Sequence, residues 1–185
     1  MADERTPERE TSLLNDQSKT TSWEMARERL ANPEQPRTCW LATTSPDGRP
    51  HLMPVIAFWI DDAMHMVVGE GSRKARNLAA NSQCVLATSS TTLPSLDIVI
   101  EGTAEPLTDE GAVRDIAAFL NSNNWPLEAK GDKVWGPNAP TAGPPPYAIF
   151  RLVPAKVFGL PGMLGMDQFK PEELPKPTRW DFSRS

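Results

Sequence analysis

The sequence predicts a mainly β, α+β fold in which antiparallel strands outnumber a few short helices. Three observations carry this. Short apolar runs rich in Val, Ile, Trp and Phe recur from residue 38 onward. Turn signals such as Ser45-Pro46-Asp47-Gly48 and Asp61-Asp62 join the first of them closely. Helical periodicity is confined to three brief windows. At 185 residues the chain suits one domain, which buries roughly two-thirds of the surface its unfolded chain exposes.

Residues 1–21 read as a flexible arm, because charges are dense and Leu13-Leu14 is the only sizeable apolar pair. A helix follows over Ser22–Asn32, with Trp23, Ala26 and Leu30 on one face and Pro33 stopping it. Strands are predicted at Thr38–Thr44, Pro50–Ile60 and Ala63–Val68, an antiparallel meander. Pro54 lies mid-strand, where it cannot donate to a ladder, so it marks an edge, a bulge or a face open to a ligand. Met53, Val55, Ala57 and Trp59 alternate with Leu52, Ile56, Phe58 and Ile60, and two apolar faces predict cover on both sides.

Ser72 is the expected N-cap of a short helix to Ala80. Gln83–Ser89 and Leu96–Glu105 read as further strands. Thr108–Asn121 is a helix with Thr108 as its cap and Val113, Ile116, Ala117 and Leu120 facing the core. Between Asn123 and Pro146, six prolines and three glycines oppose regular structure. Trp125 and Trp135 in that loop favour packing over disorder. They are expected to cap a ligand pocket or to fill a dimer surface. Pro146–Gly159 makes a last strand, broken near Pro154, with Tyr147 half-buried. The organisation is thus an arm (1–21), a barrel-like domain (22–162) and a C-terminal tail (163–185) that docks through Phe169, Trp180 and Phe182.

The net charge of −5 opposes general nucleic-acid binding, which leaves a basic footprint. The N-terminus lacks the apolar core of a secretory signal, and no run approaches the ~18 apolar residues of a membrane span. Cys39 and Cys84 read as free buried thiols of a cytoplasmic protein. His51 and His65 are the only histidines and lack metal-ligand spacing, so no metal site is assigned. No motif marks a catalytic side chain. Any chemistry then belongs to a bound cofactor.

The sharpest local feature is Gly71-Ser72-Arg73-Lys74-Ala75-Arg76-Asn77-Leu78. Three cations crowd a helix start, whose free N–H groups and positive dipole end attract anions and disfavour cations. Either an anion binds among them or the segment is a solvated basic face.

In order and spacing, WLATTSPDGRPHLMPV, GSRKARNLAANSQCVLATSS, VIEGTAEPLTDEGAV and YAIFRLVPAKVFGLPG resemble the pyridoxamine 5′-phosphate oxidase-like flavin and deazaflavin reductases. The likeness runs from about Cys39 to Gly162, and TRWDF at Thr178–Phe182 resembles a segment that many relatives carry. The resemblance implies a split β-barrel of about six antiparallel strands. It implies that Ser72, Arg73 and Lys74 grip a cofactor phosphate, with Arg76 and Asn77 close by. It places Met53, Pro54 and Val55 along the cofactor ring and Lys156 on the last strand as a further contact. Homodimers with two cofactor sites at the interface are implied as well.

Authentic oxidases of this family carry, at the position of Met53, an arginine used on the FMN phosphate, and their Arg-x-His element has no counterpart near Leu152–Phe158. GSRKARNL with VFGLPG is similar to the branch that uses coenzyme F420, whose phosphate and acidic tail suit Arg73, Lys74 and Arg76. The expected function is therefore F420-dependent hydride transfer to a small organic acceptor. The alternatives are an FMN-dependent oxidoreductase of the same fold and a non-catalytic flavin- or haem-binding protein.

Overall fold

In a computed structural model the chain is described over residues 5–14, 16, 19–32, 39–89, 92–138 and 142–183. Pro33 and Thr38, named above as a helix stop and a strand start, lie outside these residues. The elements run β1 (Arg9–Ser12), α1 (Trp23–Ala31), β2 (Cys39–Thr44), β3 (Pro50–Ile60), β4 (Ala63–Gly69), α2 (Arg73–Ala80) and β5 (Gln83–Ser89). They continue with β6 (Leu96–Pro106), α3 (Glu110–Ser122), β7 (Glu128–Lys130), β8 (Lys133–Trp135), β9 (Tyr147–Pro161) and β10 (Thr178–Asp181), with a 3-10 turn at Met166–Gln168.

Strands β4, β3, β2, β5 and β6 pair in that order, and β9 pairs with both β4 and β6. Six antiparallel strands thus close a barrel, the split β-barrel that the sequence resemblance implies. Closure removes the free edges that an open sheet would present. The β2–β3 turn forms as expected: Gly48 sits at φ 81° and its N–H donates to the Ser45 carbonyl at 2.8 Å. The β3–β4 turn places Asp61 and Asp62 at φ 46° and 54°, the left-handed pair that a two-residue hairpin requires.

Inside the barrel, Leu41, Val55, Ala57, Trp59, Met66, Leu86 and Ile100 are buried together. Helix α1 closes this core. Ser22 caps it by accepting the Met25 N–H, and Trp23 meets Trp59, Trp180 and Phe182 at ring-centroid distances of 5.9, 5.7 and 4.9 Å. A second core lies outside the barrel wall, where Val113, Ile116, Ala117 and Leu120 of α3 pack on Tyr147 and Ile149 of β9, with Phe58 and Ile60 of β3 against them.

Five expectations need correction. The N-terminal arm is not wholly flexible: Arg9–Ser12 pairs with Asp181–Thr178 of β10, so that main-chain pairing supplies what apolar content lacks. Asp109, not Thr108, caps α3, its carboxylate accepting the Ala112 N–H at 2.8 Å. The 123–146 loop contains the β7–β8 hairpin, turned at Gly131 (φ 63°) and joined to β9 where Val134 faces Tyr147. Tyr147 is fully buried rather than half-buried, and its hydroxyl lies 2.8 Å from both the Pro137 and Gly143 carbonyls. Strand β9 is bulged rather than broken at Pro154. Its register on β6 passes from Lys156 opposite Glu101 to Pro154 opposite Gly102, so Ala155 is the extra residue of the bulge and Pro154 sits beside it. Gly102 is needed there, because an added Cβ would stand 2.1 Å from the Val153 carbonyl oxygen.

Candidate anion and cofactor site

The basic segment forms the expected helix start. Ser72 is the N-cap of α2, its Oγ accepting the Ala75 N–H at 3.2 Å, which leaves its own O–H free to donate. Arg73 is exposed, and Arg76 Nη1 donates to the Gly71 carbonyl at 2.7 Å. Lys74 turns under the helix and is buried, and burial lowers its pKa. Three cations therefore meet the positive end of α2 without an acidic residue in its first turn.

The hairpin β2–β3 supplies the facing wall. Its turn and α2 enclose an open groove of about 530 Å³ lined by Ser45, Pro46, Asp47, Arg49, Pro50, Arg73, Arg76 and Asn77. The one carboxylate in that lining is already engaged: Asp47 accepts from Arg49 Nε at 2.8 Å, and this contact first, then Ser45, holds its pKa down at about 2. The groove's remaining charge comes from Arg73 and Arg76.

Register brings in two residues that the sequence reading did not assign to the site. Thr43 of β2 faces His51 of β3, and Asn77 Nδ2 donates to Thr43 Oγ1 at 2.9 Å, tying α2 to the hairpin. His51 Nδ1 is buried without a hydrogen-bond partner. Burial first, then the charges of Arg73 and Lys74, lower the pKa of His51. Counting back from the turn at Ser45–Gly48 would have placed Thr43 against His51. Nothing in the sequence, however, says that α2 folds over that pair. A phosphate fits this arrangement, since it offers acceptors to the Ser72 hydroxyl and to the guanidiniums of Arg73 and Arg76 at the positive end of α2.

The other expected site residues fall into two groups. Met53, Pro54 and Val55 lie on β3 opposite Leu41, Trp40 and Cys39. Pairing of β3 with β4 begins only at Ile56, so Pro54 occurs where its missing N–H disrupts no ladder with β4. Of the three readings of Pro54, the open edge is the one realised. Lys156 stands apart on the outer side of β9, opposite Glu101 and Asp181, with its ammonium 3.9 Å from Glu101 Oε2. Trp125 is half-buried against the second core, which bears out packing over disorder in that loop. Trp135 carries the Lys130 ammonium 5.5 Å above its ring.

Cys39 and Cys84 are buried and form no disulfide, and burial pushes the Cys84 thiol up to about 12. Among the described residues no group of three or more His, Cys, Asp or Glu side chains converges, and no helix is long and apolar enough to cross a membrane.

Comparison with solved structures returns the same barrel. A conserved hypothetical protein from Mycobacterium tuberculosis superposes with a TM-score of 0.57 at 18% identity, covering 77% of this chain and 86% of that one. A FAD-binding protein from Mesorhizobium loti gives 0.53 at 22% identity, with coverage of 75% and 93%. An F420 reductase gives 0.51 at 21% identity, with coverage of 70% and 94%. At these identities the likeness is one of fold. No curated protein matches the sequence significantly. The pyridoxamine 5′-phosphate oxidase family model, however, matches residues 25–160, from α1 through the barrel to the end of β9, and the chain therefore belongs to the pyridoxamine 5′-phosphate oxidase family.

Proposed function

We propose that the chain is an F420-dependent oxidoreductase that passes hydride between the deazaflavin and a small organic acceptor, acting as a cytoplasmic homodimer. The observation that carries this reading is the cation set of Arg73, Lys74 and Arg76 at the capped start of α2, beside a groove whose only carboxylate is engaged by Arg49. When bound, the cofactor supplies the hydride. The Ser72 hydroxyl and the Arg73 and Arg76 guanidiniums bind its phosphate and acidic tail, and Asn77 holds α2 against Thr43. The Met53–Val55 edge supports the ring. No convergent acid–base pair is needed, because solvent supplies the proton.

Met53 weighs against FMN, since it brings no charge where authentic pyridoxamine-phosphate oxidases use an arginine on the FMN phosphate. FMN is the second reading, because the same cations suit its phosphate. The homodimer reading is supported by the outer face of β2 and β3, where Trp40 and Leu52 are 46% and 57% exposed. A second copy covers that face and brings its Lys156 to the cofactor.

The test is a titration with F420 and with FMN, followed by tryptophan fluorescence. F420 is expected to bind more tightly, and Arg73→Ala with Lys74→Ala to weaken it by roughly tenfold or more. Tight FMN with weak F420 would transfer the assignment to FMN. Binding of neither, or full F420 affinity in the double variant, would sink the reading.

A further inference from the structure

A second cavity, sharing no lining residue with the α2 groove, opens where Arg5 and Ser183 meet the end of β6 and the middle of β9. It measures about 680 Å³, and Arg5, Arg151, Gln83, Thr103 and Glu105 are on its walls.

Arg5 is fixed there from several directions. Its main-chain N–H donates to Asp62 Oδ2 at 2.8 Å, its Nη2 donates to the Ser183 carbonyl at 2.5 Å, and its guanidinium lies 5.3 Å over the Phe182 ring. These contacts leave Nη1 buried with no partner. A buried donor without an acceptor is costly unless a ligand or water supplies one. Both guanidiniums line the cavity, and burial first, then the charge of Arg151, lowers the Arg5 pKa against the smaller opposing charge of Asp62.

Neither arginine side chain joins an ion pair with a carboxylate among the described residues. Arg151 faces His65 on β4 and Glu105 on β6. His65 brings no charge at neutral pH, its pKa being driven down to about 4, chiefly by burial. Asp109, also on the wall, is committed to capping α3. Glu105 is the internal competitor, placed in register with Arg151 but not bonded to it.

We propose that this cavity is a separate anion site that takes a small oxyanion, a carboxylate or phosphate group, between Arg5 and Arg151. The oxyanion gives Arg5 Nη1 its missing acceptor and meets the Arg151 fork; the Gln83 amide donates one N–H to Thr103 Oγ1 at 2.8 Å, so its second N–H and the Thr103 O–H are the neutral donors. Because Arg5 precedes β1 and Ser183 follows β10, occupancy ties both chain ends to the barrel wall. This inference is independent of which cofactor fills the α2 groove.

The test uses calorimetric titration of the full chain carrying Arg73→Gln and Arg76→Gln, which disables the α2 groove, with inorganic phosphate and with malonate as probes. One saturable event per chain is expected for at least one probe. Arg5→Gln or Arg151→Gln should weaken it by roughly tenfold, and Glu105→Gln should tighten it. Thermal unfolding without anion checks that each variant is folded, and Arg151→Lys, which keeps the charge and loses the fork, should fall between. Binding of phosphate alone identifies a phosphoryl ligand, and binding of malonate alone a carboxylate one. No saturable binding of either probe, or binding unchanged by both Arg5→Gln and Arg151→Gln, overturns the proposal.

Discussion

The two halves of β3 both carry large apolar side chains, and they have opposite fates. In Ile56–Ile60 the strand pairs with β4, Ala57 and Trp59 enter the barrel core, and Phe58 and Ile60 join the second core beneath α3. In Pro50–Val55 it pairs with β2, Leu52 is 57% exposed, and Pro54 marks an edge that β4 does not cover. An alternating apolar strand therefore does not reveal which of its faces are filled by its own chain. The expectation of cover on both sides holds for one half only, because α3 and the β7–β8 hairpin reach only that far. The covered half carries stability, and the bare half is free for a ring, an acceptor or a second copy.

The largest effect belongs to the covered half. Trp59 is buried and edge-on to Trp23, so Trp59→Ala should cost about 3–5 kcal/mol in urea unfolding. A loss under about 1 kcal/mol would place the barrel core elsewhere.

The next effect comes from β4, where His65 faces Phe58. Burial, then Arg151, drives its pKa from 6.5 to about 4. The folded state therefore holds this imidazole neutral where the unfolded chain would protonate it. Its contribution is fully present above pH 6.5 and is lost as pH falls toward 4, the loss reaching roughly 3 kcal/mol there. Unfolding at pH 7 and pH 4.5 should show that loss in the native protein, and His65→Asn should remove most of the difference. An equal acid sensitivity in the variant would assign it to other groups.

What was legible in the sequence follows the same division. Features set by near neighbours could be read: the Ser22 and Ser72 caps, the turn at Gly48, the strand bounds of β3 and β5, and the cation cluster on α2. Features that depend on distant pairing could not. Arg9–Ser12 has no strand pattern of its own and is ordered by β10. His51 feels the charges of Arg73 and Lys74 only because α2 folds over the β2–β3 hairpin. Pro154 looked like a strand break because the bulge that accommodates it requires Gly102 on the neighbouring strand. Thr108 and Asp109 are both competent caps, and only the position of the first helical turn separates them.

The smallest effect on folding should fall on the bare half, and it tests the comparison most directly. Leu52 and Trp40 lie on the outer face, with Leu52 opposite Ala42 and Trp40 opposite Pro54. Within one chain Leu52 gives up little apolar surface, so Leu52→Ser should change the folding free energy of the isolated subunit by no more than about 0.5 kcal/mol. If a second copy covers the face, folding is linked to association, and the unfolding midpoint of the native protein must rise with protein concentration. Leu52→Ser should flatten that dependence and reduce the mass measured by light scattering, while the two unfolding curves converge on dilution. Concentration-independent unfolding of the native protein at a monomer's mass would leave the exposed face without a partner. A loss of several kcal/mol in the dilute variant would instead show that the two halves of β3 are packed alike.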